Sequence, residues 1–450
     1  MKKIILVLIP IIFVVISCSS DSSEPVVSEP ESENPTEEEP IENEIYFTLN
    51  VDNNYYSENS ESWLVVNDAN NGDVLDYIQI DNGASVHFEK PMTTAIHDNN
   101  ISLINVRNYE GNTYISISTF SSVSDGSIWN LVSGTPVNFT SRGNAIGALK
   151  INANNLNSPA SYTLSNKYGS TLSGGSSETK VNQVTNIEFE NIPLYQENRY
   201  LFSIYDTNGD AKYKFLDDLT DGETITFNSS ELQSYDEIVP LYLPDGGEYF
   251  CNIVGFEENQ AYNEGDGYLL NLMLPFDNDK ITSNNINLGY LNTLDKYITT
   301  LNYTNGNFDY LYLKYGDRPV GFQLADIDYW NVDVTNNAIN NFQYNGPSSN
   351  SFNRQSHHFQ STVGTKDVDY VEVNWNLNQG KYYYGYNYEL PEEILNRYPN
   401  LEMNNLNYQG SSFYLHEYSY LEYIDAKYEE HNPDFLLDKE IISVKNSIQI

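Results

Sequence analysis

Cysteines, cations and long apolar runs are scarce in this chain, and each scarcity closes off a class of protein. Only two cysteines occur in 450 residues, Cys18 and Cys251. Two thiols cannot make a disulfide framework. Cys251 sits in the strand-like stretch 248–255, whose apolar neighbours favour a buried, inert thiol. Lys and Arg number 22 against 63 Asp and Glu, for a formal net charge of −41. No basic cluster follows Lys3, and nucleic-acid binding needs one to meet the phosphate backbone, so nucleic acid is excluded as a partner. The apolar run 4–16 is interrupted by Pro10 and falls short of the about 20 residues that span a bilayer. A Gly-x-Ser-x-Gly elbow, a Walker loop and a dinucleotide fingerprint are also missing.

Aromatic residues fill the space that cations leave. The chain holds 38 Tyr, 19 Phe and 4 Trp beside abundant Asn, a mixture that favours strands joined by tight turns. Short β-branched and aromatic runs recur between Asn/Asp/Gly clusters, at 45–51, 63–67, 74–80, 101–107, 113–119, 200–205, 268–274, 308–315 and 368–377. That pattern predicts an all-β fold of antiparallel β-sandwiches. Only Pro391–Tyr398 predicts a helix, with Pro at its start, Glu392 and Glu393 in the first turn and Pro399 stopping it.

One pattern repeats. Leu64–Asp73 leads through an Asn-Gly turn into 74–80, a second turn at Asn82-Gly83 and Val86-His87-Phe88. Leu201–Asp210 leads in the same way into 212–216, Asp221-Gly222 and Ile225-Thr226-Phe227, and a looser copy starts at Leu301. The spacing is that of whole domains, not of a solenoid. Breaks near Thr140–Gly143 and Pro244–Gly247 divide the folded part into 45–142, 143–243 and 244–450, the last richest in Tyr.

Ahead of the folded part stand a leader, 1–17, and a tether, 18–44. Met1-Lys2-Lys3, the apolar run and the small residue Ser17 have the order of an export signal. Ser19–Glu44 holds ten carboxylates, no basic residue, and Pro25, Pro30, Pro35 and Pro40 at five-residue spacing, which blocks helix and leaves no core to form. Val15-Ile16-Ser17-Cys18 resembles the lipobox of bacterial lipoproteins. The resemblance implies cleavage before Cys18 and acylation of its thiol, and loss of Lys2 and Lys3 with the leader leaves the mature chain at −43. Ser19–Glu24 is similar to the export signals that carry lipoproteins of Bacteroidota to the outer face of the outer membrane. A lipidated Cys, a tether and a string of sandwiches together look like the accessory glycan-capture lipoproteins of that group. The likeness implies a membrane-anchored surface protein that binds a polysaccharide or another surface protein. Scattered carboxylates leave a hydrolase as an alternative, and a structural outer-membrane lipoprotein without a small ligand is another.

Candidate sites are few. Asp206, Asn208, Asp210 and Asp217 match calcium-loop positions 1, 3, 5 and 12, but Ala211 stands at the position that needs Gly and Asp217 replaces the usual Glu. The stretch therefore reads as a hairpin turn, with Ca²⁺ as the one cofactor left open. His357 and His358 are adjacent and point to opposite faces of a strand. His416–Tyr420 begins like a zinc-protease helix but carries Tyr in place of the second His. If residues 378–381 form a hairpin turn, Tyr382, Tyr384, Tyr386 and Tyr388 join the apolar face of 371–377 as core. The opposite face then presents Glu372, Asn374, Asn376 and Tyr383, and the trio Asn374, Asn376 and Tyr383 is the expected polyol-binding surface.

Overall fold

The computed structural model describes residues 43–92, 98–133, 143–170, 176–181, 184–196, 199–260, 267–275, 280–322, 324, 326, 328–366, 368–382, 388–429, 435 and 439–447. Strands make up 59% of these residues and helical turns 8%, so the all-β, sandwich-like expectation holds. The leader, Cys18, the tether up to residue 42 and Tyr383 lie outside the described residues.

Three sandwiches share one plan. The first comprises β1 (Asn43–Val51), β2 (Ser60–Asp68), β3 (Val74–Ile80), β4 (Ser85–Pro91), β5 (Asn99–Tyr109), β6 (Asn112–Val123) and β7 (Ser127–Leu131). Sheet β4-β1-β7, with β1 and β7 parallel, faces β3-β2-β5-β6 across Phe47, Leu49, Leu64, Val66, Phe120 and Trp129. The second uses β8 (Gly147–Asn157), β9 (Pro159–Asn166), β10 (Gly169–Ser170), β11 (Ser176–Val181), β12 (Val184–Leu194), β13 (Tyr200–Asp206), β14 (Ala211–Leu216), β15 (Thr224–Asn228) and β16 (Gln233–Ser234). Here β12-β8-β15, again with a parallel pair, faces β10-β9-β13-β14; β11 and β16 are added at the edges. The third uses β17 (Glu237–Tyr242), β18 (Glu248–Phe256), β19 (Tyr268–Met273), β20 (Asn285–Tyr290), β21 (Lys296–Asn305) and β22 (Phe308–Gly316). Its pair β17-β20 faces β19-β18-β21-β22, which is the same plan without a seventh strand among the described residues.

This threefold plan corrects the phase of the repeat seen in the sequence. Leu201 and Leu301 both lie on fifth strands, β13 and β21, whereas Leu64 lies on a second strand, β2. The hairpin signature shared by β2–β3 and β13–β14 comes from tight-turn chemistry, and it does not mark equivalent places. On the vacant edge of β17 stands Pro240. Asn287, its partner on β20, turns its N–H away to the Gly209 carbonyl at 2.9 Å. Opposed antiparallel residues point their backbone groups the same way relative to the ladder, so the N–H that Pro240 lacks falls on the open side.

After β22 the chain forms a small hairpin, β23 (Asp333–Asn336) and β24 (Gln343–Asn345). It continues as β25 (Arg354–Val363), β26 (Val371–Gly380), α1 (Glu392–Arg397), β27 (Asn407–His416), α2 (Tyr420–Ile424) and β28 (Glu440–Ser447). The helix expected at 391–398 is α1. The second helix, α2, begins at the capping box Ser419-x-x-Glu422, so His416–Tyr420 runs from strand end to helix start rather than along a zinc-binding helix. β25 to β28 join two sandwiches into one twelve-stranded sheet, ordered β19-β18-β21-β22-β28-β27-β25-β26-β6-β5-β2-β3. β6 pairs in parallel with β26, so residues of the expected stretches 45–142 and 244–450 share one ladder, and Asn43–Ile450 is one compact unit. The break expected at Pro244–Gly247 falls between β17 and β18, inside the third sandwich, and that near Thr140–Gly143 lies, but for Gly143, outside the described residues; composition carries no record of which strands pair.

One face of the long sheet is covered from end to end. β17-β20 cover β19 to β22, burying Tyr249, Cys251, Tyr303 and Tyr310. Farther along, α1 and the segments around it cover Trp63, Ile117, Phe359, Val373, Trp375 and Leu377. β2 is therefore buried on both sides, which explains its unbroken Trp63-Leu64-Val65-Val66. The β19 edge is closed differently. It abuts the outer face of β9 and β13, where Thr163 Oγ1 donates to the Leu269 carbonyl at 3.2 Å and Tyr235 Oη to that of Leu270 at 2.8 Å. Ser203 Oγ also donates to Leu270 O, and Ser165 Oγ accepts the Leu269 N–H at 2.9 Å. The alternating Ser161, Thr163 and Ser165 thus satisfy a strand edge that would otherwise stay unpaired.

Candidate functional site

Among the described residues, the second face of the long sheet is covered only toward the first sandwich, by β4-β1-β7 and α2. Tyr420, Ile424 and Tyr428 pack there, and Tyr420 Oη donates to Asn378 O at 3.0 Å. From β18 to β26 the side chains on this face are half-buried and mostly polar, among them Asn252, Asn302, Ser412, His358, Asn374 and Asn376. Strand alternation accounts for the segregation. Val373, Trp375 and Leu377 of β26 are buried on the first face, so Asn374 and Asn376 must stand on the second.

The geometry expected around them differs in one respect. Residues 378–380 do not turn; they continue β26 and pair with 354–356 of β25. β26 meets β25 and β6 rather than a tyrosine hairpin, and of the aromatic stretch Tyr382 is exposed while Tyr388 is buried against the first face. A Gly-bearing sequence was read as a turn where an adjacent strand had already claimed its backbone.

Asn374 is tied into a network. Its Oδ1 meets His358 Nε2 at 3.1 Å, and its Nδ2 donates to Glu372 Oε1 at 2.7 Å. Tyr370 Oη donates to Glu372 Oε2 at 2.8 Å. The hydrogen bond from Asn374, joined by those from Tyr370 and Gln360, holds the Glu372 carboxyl below its ordinary range. Burial holds the His358 imidazole below its own, outweighing the opposing pull of Asn374 and Glu372. The side chain of Asn376 makes no hydrogen bond among the described residues and remains free for a ligand. His357, on the other face, is fully buried against Phe342 and Tyr344 with its Nδ1 2.7 Å from Ser411 Oγ.

The calcium-like loop is a hairpin. Asp206 Oδ1 accepts the N–H groups of Asn208 and Asp210 at 2.8 and 3.0 Å, and Asp210 Oδ1 accepts from Asn287 Nδ2 at 2.9 Å. Asp217 lies beyond the other end of β14 and pairs with Arg199 at 2.8 Å. At about 3.3 Å per strand residue it stands on the order of 20 Å from Asp210, too far to share an ion. The four residues do not converge, and the described residues hold no group of three or more His, Cys, Asp or Glu placed to hold a metal.

Two clefts escaped the sequence reading. β27 starts at Asn407, and Gln360–Asn407 is its last pair with β25, so 361–363 extend past it with one side unpaired. Before β27 the 3₁₀ turn Met403–Asn405 projects outward because Leu401 and Leu406 on either side are buried in the core. Between turn and strand lies a cleft of about 820 Å³, lined by Gln360, Ser361, Thr362, Asn405, Asn407 and Gln409. Among the described residues no charged side chain lines it. The amides are ordered from behind: Asn405 Nδ2 donates to Glu402 Oε2 at 3.2 Å, Asn407 Nδ2 to Asn405 O at 3.3 Å, and Gln409 Nε2 to Asn407 O at 3.2 Å. Their side-chain oxygens accept nothing among the described residues. On the other side of the turn a second cleft, about 640 Å³, is lined by Glu389, Leu395, Asn396, Glu402 and Met403. Asn404 lines both. The run Asn404-Asn405-Leu406-Asn407 was visible, but Asn clusters mark turns of every kind. No protein-family model matches the chain, and no curated protein is similar to it.

Proposed function

We propose that this is a lipid-anchored, surface-exposed outer-membrane protein that captures glycans through the uncovered end of its long sheet. The observation that carries the reading is chemical contrast. In a chain with 63 acidic residues, the cleft beside the open face is lined by amides and hydroxyls instead. Those groups donate to and accept from sugar hydroxyls without a charge to desolvate. Attachment rests on Cys18: several acyl chains would hold the protein firmly, where one binds marginally. Among the described residues no helix is long and apolar enough to cross a membrane.

The hydrolase alternative calls for a carboxyl raised to serve as general acid. Among the described residues, the carboxyls whose pKa is displaced all move the other way. Glu61, Glu188 and Glu372 are lowered chiefly by hydrogen bonds from Arg397, Lys150 and Asn374, and Glu231 and Glu422 by backbone N–H groups. Binding is the better-supported reading. Retention of the mature chain in affinity gels cast with uncharged polysaccharides tests it, and mobility unchanged in every such gel would overturn it. Mass spectrometry of the mature N-terminus tests the anchor, with acylated Cys18 expected and an unmodified terminus downstream of it refuting.

A further inference from the structure

We infer that the two clefts flanking the 3₁₀ turn Met403–Asn405 are one extended site for an uncharged oligosaccharide that crosses Asn404. The inference rests on the glycan-binding reading and locates it.

Continuity comes first. Asn404 is exposed on the turn and lines both clefts, so a ligand long enough to fill one meets the other across a single side chain. Each volume lies within the about 300–1,000 Å³ of ordinary ligand clefts, and together they suit a chain of rings better than one ring. The linings also divide the work that a pyranose requires. The larger cleft supplies the free oxygens of Asn405, Asn407 and Gln409 for hydroxyl donors. The smaller supplies Leu395 and Met403 for the apolar C–H face. At the back of the larger cleft, Ser361 is buried and its Oγ has no partner among the described residues. That is a polar group left unsatisfied where such groups are ordinarily paired.

Charge sets the class. Glu389 and Glu402 border the smaller cleft, with no cation in either lining to offset them. Uronates, sulfated sugars and phosphates would be repelled. An extended peptide adding to the free side of β25 is the competing occupant. Only residues 361–363 are unpaired there, too short an edge for strand addition, and the lining offers no row of apolar pockets for alternate side chains.

The test uses the full mature chain and isothermal titration with cellohexaose, maltohexaose, mannohexaose and xylohexaose. Hexagalacturonate is the anionic probe and the hexapeptide (Thr-Val)₃ the peptide probe. At least one neutral hexaose should bind more tightly than its own disaccharide. Asn404→Ala should weaken the hexaose tenfold or more and abolish that dependence on length. Gln409→Ala should weaken it as well, and Ser177→Ala on the exposed edge strand β11 of the second sandwich should not. If affinity falls with Asn376→Ala and not with Asn404→Ala or Gln409→Ala, the clefts are not the site although the glycan reading stands. Preferential binding of hexagalacturonate or of (Thr-Val)₃ overturns the ligand class. If the unaltered protein binds no hexaose, both this inference and the reading beneath it fail.

Discussion

Acid should destabilise this protein through one residue in particular, His357. The side chain is 0% exposed, packed against Phe342 and Tyr344 and hydrogen-bonded to Ser411. Burial lowers its pKa from 6.5 to about 3. A histidine whose folded pKa is depressed binds its proton more readily in the unfolded chain. Its full contribution to stability is therefore present above about pH 6.5 and is lost as pH falls toward 3. Each unit of pH across that window costs about 1.4 kcal/mol, so at pH 4.5 the loss attributable to His357 is about 2.7 kcal/mol. Replacement by Gln keeps a partner for Ser411 Oγ and removes the titration. Urea unfolding of both proteins between pH 8 and 4.5, followed by tryptophan fluorescence, reads the effect, because Trp63 and Trp375 lie in the adjoining core. Carboxylates and His358 titrate alike in the two proteins and drop out of the difference. His357→Gln should be the less stable protein at pH 8, and its deficit should shrink by about 2.7 kcal/mol on reaching pH 4.5. Parallel stability curves would refute the argument.

Other substitutions probe other parts of the fold. Pro240→Thr restores an N–H on the vacant edge of β17 and should give concentration-dependent self-association by light scattering; a strictly monomeric variant would show that Pro240 does not guard that edge. Arg354 is buried between the rings of Tyr414 and Tyr423, 3.6 and 4.1 Å from their centroids, and its Nε has no partner among the described residues. Arg354→Lys keeps the charge and loses the planar stacking, so stability should fall by about 2 kcal/mol in denaturant titration, and a loss within 0.5 kcal/mol would remove the stacking as the cause. Gly209 has φ +83°, and a Cβ there would lie 2.6 Å from Asn285 O. Gly209→Ala should cost about 1–3 kcal/mol by strain and by lifting the β13–β14 hairpin off β20, and an unchanged melting temperature would contradict that contact.

What the sequence made legible was local. Alternation placed Val373, Trp375 and Leu377 on one face of β26 and Asn374 and Asn376 on the other, because a strand has one period wherever it pairs. Pro391-Glu392-Glu393 announced α1 because helix starts depend on residues next to one another. Pairing was not legible. Nothing in Thr113–Phe120 or Val371–Asn378 tells that these two strands lie parallel in one ladder. The turn read at 378–381 was a reasonable hairpin in isolation and was overridden by β25, which precedes it in the chain. The repeat was seen through its turns, and turns recur within one sandwich as readily as between sandwiches.

The candidate site was legible only where it coincided with a strand. Asn376 could be placed on a polar face from its neighbours alone, but the clefts depend on the ends of elements. β27 begins beyond the reach of residues 361–363, and Leu401 and Leu406 pull the chain inward so that Asn404 projects. Strand ends have no period to read. The long sheet itself follows from the shared plan of the sandwiches, since each leaves its sixth strand with an unpaired edge. β14 closes that edge with the short β16, whereas β6 and β22 are closed by β26 and β28. The segment that follows β22 thus answers two open edges and, in doing so, creates a sheet wider than the layers that cover it. The uncovered face runs from β18 across the added strands to β26, and the clefts lie at strand ends within the added segment. The proposed binding groups therefore collect on the joining segment, because the ends of its strands, unlike β2 with a core on each face, leave amide side chains open to solvent.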